Sequence, residues 1–88
     1  MRIRFFGSSE CRDCLKIFII LNKLQINYEY IDGHDKSDEV QDFCDEQEVD
    51  ELPHLQFLDD EDNIVDEHVG SLSEEGMKIY LAEHFPNY

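Results

Sequence analysis

Basic residues are scarce in this sequence, and the shortage limits the kinds of partner that the chain can bind. The 88 residues include 7 lysines and arginines against 22 aspartates and glutamates, which gives a formal net charge of −15 at pH 7. Nucleic-acid phosphates and anionic membrane surfaces attract proteins through cationic side chains. The composition therefore argues against both kinds of partner.

Long apolar runs are also lacking. The longest, from Ile17 to Leu21, has five residues, whereas a membrane-spanning helix needs about 20. Residues 1–7 contain no apolar core followed by a small-residue cleavage site, which a signal peptide would have. We therefore expect a soluble, cytoplasmic protein.

Cysteine, proline and glycine are few. The chain has 3 cysteines, 2 prolines and 4 glycines, and it shows no linker, low-complexity tract or repeat. A secreted domain stapled by disulfides usually has a larger, even set of cysteines. Since hydrophobic residues make up 41% of the sequence, we expect one folded domain over residues 1–88 with a single modest core.

The acidic residues are unevenly distributed. Residues 1–34 carry five basic and four acidic side chains, whereas residues 35–67 carry fifteen acidic side chains and one lysine. Such a run either covers a solvated face or contributes to the binding of a partner.

Hydrophobic periodicity and turn residues predict four strands and three helices. Apolar residues at helical spacing predict a first helix over about residues 11–25, covered on more than one side. Ser37 is suited to cap the second helix. Ser71 and Glu74 form a capping box for the last helix, and Ser73 is the other candidate cap. The predicted strands cover residues 2–6, 27–31, 54–58 and 64–68.

The element order is therefore β-α-β-α-β-β-α. The first β-α-β unit requires parallel strands joined by a right-handed crossover, whereas the closing hairpin is antiparallel. We predict an α/β fold in which a four-stranded mixed sheet is flanked by helices on both faces.

Cys11 and Cys14 form a C-x-x-C motif where the first strand passes into the first helix. Free N–H groups and the positive end of the helix dipole stabilise a thiolate there, which is the reactive form of cysteine. Cys14 lies one turn further on and can close a disulfide, so this context favours dithiol–disulfide exchange. A zinc site would need two further ligands, but there is no second C-x-x-C, and His34 and His54 are isolated. A purely structural cysteine pair is a further alternative.

These features resemble a thioredoxin-fold oxidoreductase of glutaredoxin size over nearly the whole chain. The resemblance rests on the C-x-x-C helix, on Leu52-Pro53 before a strand and on Gly70 before the last helix. Residues 51–57 resemble the glutaredoxin segment around its cis-proline. The resemblance implies that Pro53 lies against the redox cysteines and that Leu52 offers backbone hydrogen bonds to the substrate. A trans-proline that only stops a helix is the alternative.

The sequence departs from both families in several places. Arg12 and Asp13 stand between the cysteines, where glutaredoxins usually have Pro-Tyr and thioredoxins Gly-Pro, and we expect both to be exposed on the surface that docks a partner. The chain has no tryptophan, so the one that usually precedes the thioredoxin motif is absent. Gly70 and Ser71, in the loop that the resemblance assigns to substrate binding, lack the second glycine of glutaredoxins. Small glutaredoxin-like donors to ribonucleotide reductase are mosaics of this kind.

The resemblance implies a thiol–disulfide oxidoreductase that reduces protein disulfides. Cys11 would be the nucleophile and Cys14 the resolving thiol, with no embedded metal or organic cofactor, and glutathione or a flavoprotein reductase would supply the electrons. Glu48, Asp50 and Glu51, in the loop before the proline, would repel anionic glutathione. We therefore expect weak glutathione use and protein partners with a basic docking surface.

A few expectations complete the interpretation. The protein is expected to be a monomer, and Cys44 is expected to be a small core residue. His34, His68 and His84 have no partner at a diagnostic spacing and are expected to be surface residues. The alternative function, from a different class, is a non-catalytic interaction module whose acidic surface binds a basic partner.

Overall fold

The computed structural model describes residues 2–85 and contains the seven predicted elements in the predicted order. The strands are β1 (Arg2–Gly7), β2 (Tyr28–Asp32), β3 (His54–Leu58) and β4 (Ile64–Val69). The helices are α1 (Arg12–Lys23), α2 (Asp38–Glu46) and α3 (Glu74–His84). Over residues 2–85, every helix is too short or too polar to cross a bilayer.

The four strands form one mixed sheet in the order β2-β1-β3-β4. β1 pairs in parallel with β2 and antiparallel with β3, and β3 and β4 form the antiparallel hairpin. The predicted α/β architecture is therefore confirmed. In this arrangement the carboxyl ends of β1, β2 and β4 meet the amino end of β3 at one end of the sheet, which we call the site end.

One face of the sheet packs on α1 and α3. Alternation along β1 and β3 directs every second side chain into this layer, where the apolar ones meet the inner sides of the two helices. The residues of this main core are Ile3, Phe5, Cys14, Ile17, Leu21, Ile26, Leu55, Phe57, Met77 and Leu81. Since Cys14 belongs to this core, half of the C-x-x-C motif is anchored in the packed interior.

The opposite face of the sheet packs on α2 and is more polar. Phe6 of β1 stacks on Phe43 of α2 with 5.9 Å between ring centroids. Gln56 of β3 is fully buried, and it donates to Gln47 at 2.9 Å and accepts from Arg4 at 2.9 Å. A buried amide is stable only when such partners satisfy it. The bond to Gln47, the C-cap residue of α2, also ties the end of this helix to the sheet.

The prediction that α1 is covered on more than one side is wrong. Leu15 and Ile19 keep 46% and 66% of their surface exposed, so one whole side of the helix faces solvent. The helix is also shorter than predicted: it ends at Lys23, and Gln25 has a positive φ of 56°.

The predicted capping box of α3 is also wrong. The N-cap is Ser73, whose side chain accepts from the backbone N–H of Gly76 at 3.0 Å. Leu72 packs against the main core, so the chain stays extended past Ser71 to bring this side chain inward. The helix therefore begins at Glu74, and Ser71 lies too early to cap it.

Candidate active site

The C-x-x-C motif lies at the site end of the sheet, at the start of α1. Cys11 is the N-cap residue, with φ −96° and ψ 117°, and its Sγ accepts a hydrogen bond from the backbone N–H of Cys14 at 3.2 Å. Cys11 and Cys14 form a disulfide, with their Cα atoms 5.1 Å apart. The C-x-x-C spacing brings the two sulfurs together, because an N-cap residue and the third residue after it face each other across the first helical turn.

The two cysteines differ in exposure. Cys14 is fully buried in the main core, whereas Cys11 is partly exposed. This is the exposure difference predicted from the sequence. A substrate can therefore reach Cys11 from solvent, whereas Cys14 can be reached only through its partner sulfur.

Ser8 holds the loop between β1 and the dithiol. This residue is buried, and its hydroxyl oxygen accepts from the backbone N–H of Glu10 at 3.2 Å and shares a hydrogen bond of 2.9 Å with Nδ1 of His34. Its carbonyl accepts from the N–H of Cys11 at 3.3 Å. His34 was expected to be an unpartnered surface histidine, and its contact with the dithiol loop was missed because the two residues are 26 positions apart.

Pro53 directly precedes β3, the strand that pairs with β1 in the sheet. The Leu52–Pro53 peptide bond is cis and Pro53 is buried, so the trans alternative is wrong. The β1–β3 register pairs Phe6 with His54, so Pro53, which precedes His54, lies at the same end of the sheet as Gly7, which follows Phe6. Leu52 and Cys11 both pack against the main core. The proline loop and the dithiol loop are therefore neighbours at the site end.

The loop before α3 joins the same end of the sheet. The N–H of Gly70 donates to the carbonyl of Pro53 at 2.8 Å, and Gly70 has a φ of 94° that favours glycine. His68 holds the next residue, because its Nε2 donates to the carbonyl of Ser71 at 2.9 Å while its Nδ1 lies 2.9 Å from the hydroxyl of Tyr80. His68 was expected to be a surface residue without a partner, whereas it is half-buried and makes both of these contacts.

Arg12 and Asp13 lie at the surface beside the dithiol. Arg12 is exposed and makes no hydrogen bond or ion pair within residues 2–85, whereas Asp13 is half-buried and its carboxylate lies 4.0 Å from Nζ of Lys16. The exposure predicted for Arg12 is therefore confirmed, and Asp13 is less exposed than expected.

On the other side of the dithiol, the loop between α2 and β3 carries carboxylates. Glu48, Asp50 and Glu51 are all exposed, and Asp50 lines a cavity of about 150 Å³ together with His34 and Leu52. The loop that leads to Pro53 therefore carries an anionic surface on the α2 side of the sheet.

Cys44 is buried on α2, as predicted. Burial, followed by the charge of Asp45, raises the pKa of its thiol. A thiol that is both buried and harder to ionise is a poor nucleophile, so Cys44 is a poor candidate for a reactive cysteine.

The metal-ligating side chains of the described residues do not gather around the dithiol. Within residues 2–85, one group of three has its ligand atoms within 4.8 Å of one another, and it consists of Asp66, Glu83 and His84. His84, which was expected to be a surface residue, is half-buried, and its Nε2 already shares a hydrogen bond of 3.0 Å with Asp66. This hydrogen bond is the main cause that lowers the pKa of Asp66. Neither cysteine of the motif belongs to this group.

Comparison with solved structures identifies the fold. The chain superposes on a mutant thioredoxin from Halobacterium salinarum with a TM-score of 0.78 and 22% identity, covering 94% of this chain and 73% of that one. This chain has a thioredoxin fold. Thioredoxin 1 from Thermosipho africanus matches with a TM-score of 0.65 and 21% identity over 94% of this chain and 97% of that one. Oxidised thioredoxin O2 from Arabidopsis thaliana matches with a TM-score of 0.73 and 18% identity over 93% and 72%.

No protein-family model matches the sequence, and a search of curated proteins finds no relative. The thioredoxin fold predicted from the C-x-x-C motif and the Leu52-Pro53 pair is thus confirmed by structural likeness. In this fold the chain places a disulfide, a cis-proline loop and the Gly70 loop at one end of the sheet.

Proposed function

We propose that this chain is a thiol–disulfide oxidoreductase that reduces disulfides in proteins. The observation that carries the proposal is the disulfide between a partly exposed N-cap cysteine, Cys11, and a fully buried partner, Cys14, beside the cis-Pro53 loop. One thiol is accessible for attack, and the other is held where it reacts only with the first.

The reaction starts from the reduced dithiol. The thiolate of Cys11, stabilised by the N–H of Cys14 and by the helix dipole, attacks one sulfur of the substrate disulfide. The substrate S–S bond breaks, its other sulfur leaves and takes up a proton, and a mixed disulfide forms with Cys11. The thiol of Cys14 then loses its proton and attacks the Cys11 sulfur, which releases the second substrate thiol. Two electrons pass from the dithiol to the substrate, and the Cys11–Cys14 disulfide remains.

The loops around the dithiol support binding of an extended substrate segment. The backbone at Leu52, before the cis-proline, is suited to pair with such a segment, and Gly70 and Ser71 form the opposite wall. Arg12 and Asp13 belong to the same docking surface. No embedded metal or organic cofactor is needed, because the two sulfurs carry both electrons.

Glutathione or a flavoprotein reductase is proposed to restore the reduced dithiol. The exposed carboxylates of Glu48, Asp50 and Glu51 support weak use of glutathione, which is itself anionic. They also support protein partners with a basic docking surface, since complementary charge speeds association. Ribonucleotide reductase is the proposed electron acceptor, on the resemblance to small glutaredoxin-like donors, and the protein is proposed to act in the cytoplasm as a monomer.

A non-catalytic acidic interaction module is the second candidate, favoured by the exposed acids of α2 and its flanking loops. Insulin reduction separates the two functions. The oxidoreductase proposal expects wild type to reduce insulin in the presence of a dithiol donor, and the double Cys11→Ser/Cys14→Ser variant to lose this activity. Activity that is equal in the two proteins, or absent from both, would contradict the proposal.

A further inference from the structure

The exposed side of α1 combines apolar and basic side chains. At 100° per residue, Arg12, Leu15, Lys16 and Ile19 fall on one side of the helix, and all four are exposed. We call these four residues the α1 strip. Leu15 and Ile19, which are adjacent on the helix surface at positions i and i+4, form the apolar centre of the strip. Ile19 keeps 66% of its surface exposed. Single exposed apolar residues are common on proteins, whereas a contiguous pair beside a reactive group indicates a contact surface.

The α1 strip is cationic on a strongly anionic protein. Three of the 7 basic residues of the chain lie in α1, namely Arg12, Lys16 and Lys23. Of the 22 acidic residues, only Asp13 lies in this helix. Lys23 is already engaged by Glu74 at 2.7 Å. Arg12 has no ionic partner within residues 2–85, and Lys16 has only Asp13 at 4.0 Å. The strip therefore has two cations available for an external carboxylate.

The α1 strip begins at the dithiol. Arg12 follows Cys11 directly, and the N–H of Leu15 donates to the Cys11 carbonyl at 3.1 Å, so Leu15 lies one turn below the attacking sulfur. The exposed carboxylates of the α2–β3 loop follow α2, which packs on the face of the sheet opposite α1. A partner whose disulfide reaches Cys11 thus meets an anionic surface on one side and a cationic, apolar surface on the other.

We propose that the α1 strip docks the segment of a partner protein that flanks its disulfide, and that this segment carries apolar side chains next to carboxylates. The proposal rests on the oxidoreductase function and adds the chemistry of the partner on the α1 side. Contact with the strip fixes the direction in which the partner lies across the dithiol. The partner segment on the other side of the disulfide then faces the acidic α2–β3 loop and must not be repelled by it.

A second copy of this chain is a poor occupant. A two-fold interface brings the same patch of both copies together, so a strip-to-strip contact would place the basic residues of one copy near those of the other. Each copy also carries a net charge of −15, which opposes self-association. An apolar segment with carboxylates complements both components of the strip.

The test uses the full chain with Cys14→Ser, so that the reaction stops at the mixed disulfide. The substrates are synthetic peptides with one cysteine activated as a thionitrobenzoate disulfide. Leucines and glutamates flank the cysteine in the first peptide, and leucines and lysines flank it in the second. The released thionitrobenzoate gives the rate constant at about 0.15 M salt, where a Debye length near 8 Å leaves mainly local contacts.

Removal of the apolar pair tests the first component. The double Leu15→Ser/Ile19→Ser variant is expected to react with the acidic peptide about tenfold more slowly, because the peptide leucines lose their contact. Ile64→Ser is the matched control, since Ile64 is 44% exposed on the edge strand β4, and it should react as wild type does. Equal rates for the double variant and the control would overturn the proposal.

Charge reversal tests the second component. Lys16→Glu is expected to slow the acidic peptide and speed the lysine peptide, each by a fewfold. Lys36→Glu changes the net charge equally from an exposed site outside α1 and should leave the ratio of the two rates nearly unchanged. The same ratio in both variants would contradict the proposed carboxylate contact.

Two further outcomes are distinguishable. If thionitrobenzoate is released from neither peptide nor from a small activated disulfide, both the oxidoreductase function and this proposal are rejected. If it is released normally but the strip variants change no rate, only this proposal is rejected.

Sedimentation velocity is expected to show a monomer. A dimer that Leu15→Ser/Ile19→Ser dissolves would make the strip a self-interface and overturn the assignment.

Discussion

The backbone N–H of Cys14 points at the sulfur of Cys11 over 3.2 Å. This relationship follows from the position of Cys11 as the cap of α1, where the first N–H groups of a helix lack partners inside the helix. In the proposed exchange, the residue that resolves the mixed disulfide, Cys14, is thus also the one whose backbone N–H stabilises the attacking thiolate of Cys11. Both steps of the proposed exchange depend on a single helical turn.

Selective alkylation should find Cys11 first. In the reduced protein, iodoacetamide at mildly acidic pH is expected to modify Cys11 before the other two thiols, because it is partly exposed and lies at the helix N-terminus. Cys14 is fully buried, and burial raises the pKa of Cys44. Peptide mapping by mass spectrometry gives the order of labelling. Earlier labelling of Cys14 or Cys44 would contradict the assignment.

Neutralising the acidic loop should improve glutathione turnover. Replacement of Glu48, Asp50 and Glu51 by Gln, Asn and Gln removes three charges from the loop that leads to Pro53 and is expected to raise kcat/KM for glutathione by a fewfold. Added salt should reduce the difference between variant and wild type, since it screens the repulsion. The measurement is turnover coupled to glutathione reductase.

A charge-matched variant on α2 serves as the control for this experiment. Replacement of Glu39, Asp42 and Glu46 by the corresponding amides removes the same number of charges from an exposed helix rather than from the loop before Pro53. It should raise glutathione turnover less. An equal gain in both triple variants would show that net charge, and not the loop, controls glutathione use.

Ser8 should contribute measurably to stability. Ser8→Ala removes the hydroxyl that accepts from Glu10 and pairs with His34, and we expect a loss of about 1–2 kcal/mol in the free energy of unfolding. Ser9→Ala, at the exposed neighbouring position, should change it by less than about 0.5 kcal/mol. Urea denaturation of the oxidised proteins gives both values. The same loss from both variants would exclude a specific role for Ser8.

The N-cap of α3 allows a second comparison of stability between two matched serine variants. Ser73→Ala removes the side chain that accepts from the N–H of Gly76 and should cost about 1 kcal/mol of stability. Ser71→Ala should cost little, because Ser71 is bound through its backbone carbonyl. Thermal or urea unfolding compares the two variants. A larger loss of stability from Ser71→Ala than from Ser73→Ala would contradict this assignment and favour the Ser71–Glu74 capping box.

The features predicted correctly from the sequence are those that local patterns determine. Alternating residues predicted β1, and the C-x-x-C motif was correctly placed at the start of α1, with Cys14 one turn after Cys11. The cis-proline was anticipated through family resemblance rather than physics, because only about 5–6% of X–Pro bonds are cis.

The features that were missed depend on distant contacts. Ser8 and His34 meet only because parallel β1 and β2 end at the same end of the sheet. The choice between Ser71 and Ser73 was decided by Leu72, which must reach the core before α3 begins. The exposed side of α1 could not be recognised, because Ile19 looks in sequence like any other core isoleucine.

The mixed-disulfide trap tests the central claim most directly. The reduced Cys14→Ser variant is incubated with a disulfide protein, and non-reducing mass spectrometry identifies the products. The account predicts a stable complex joined through Cys11, since attack survives and resolution does not, and no complex from Cys11→Ser under the same conditions. A complex joined through Cys44, equal trapping by the two variants, or no complex from Cys14→Ser would contradict it.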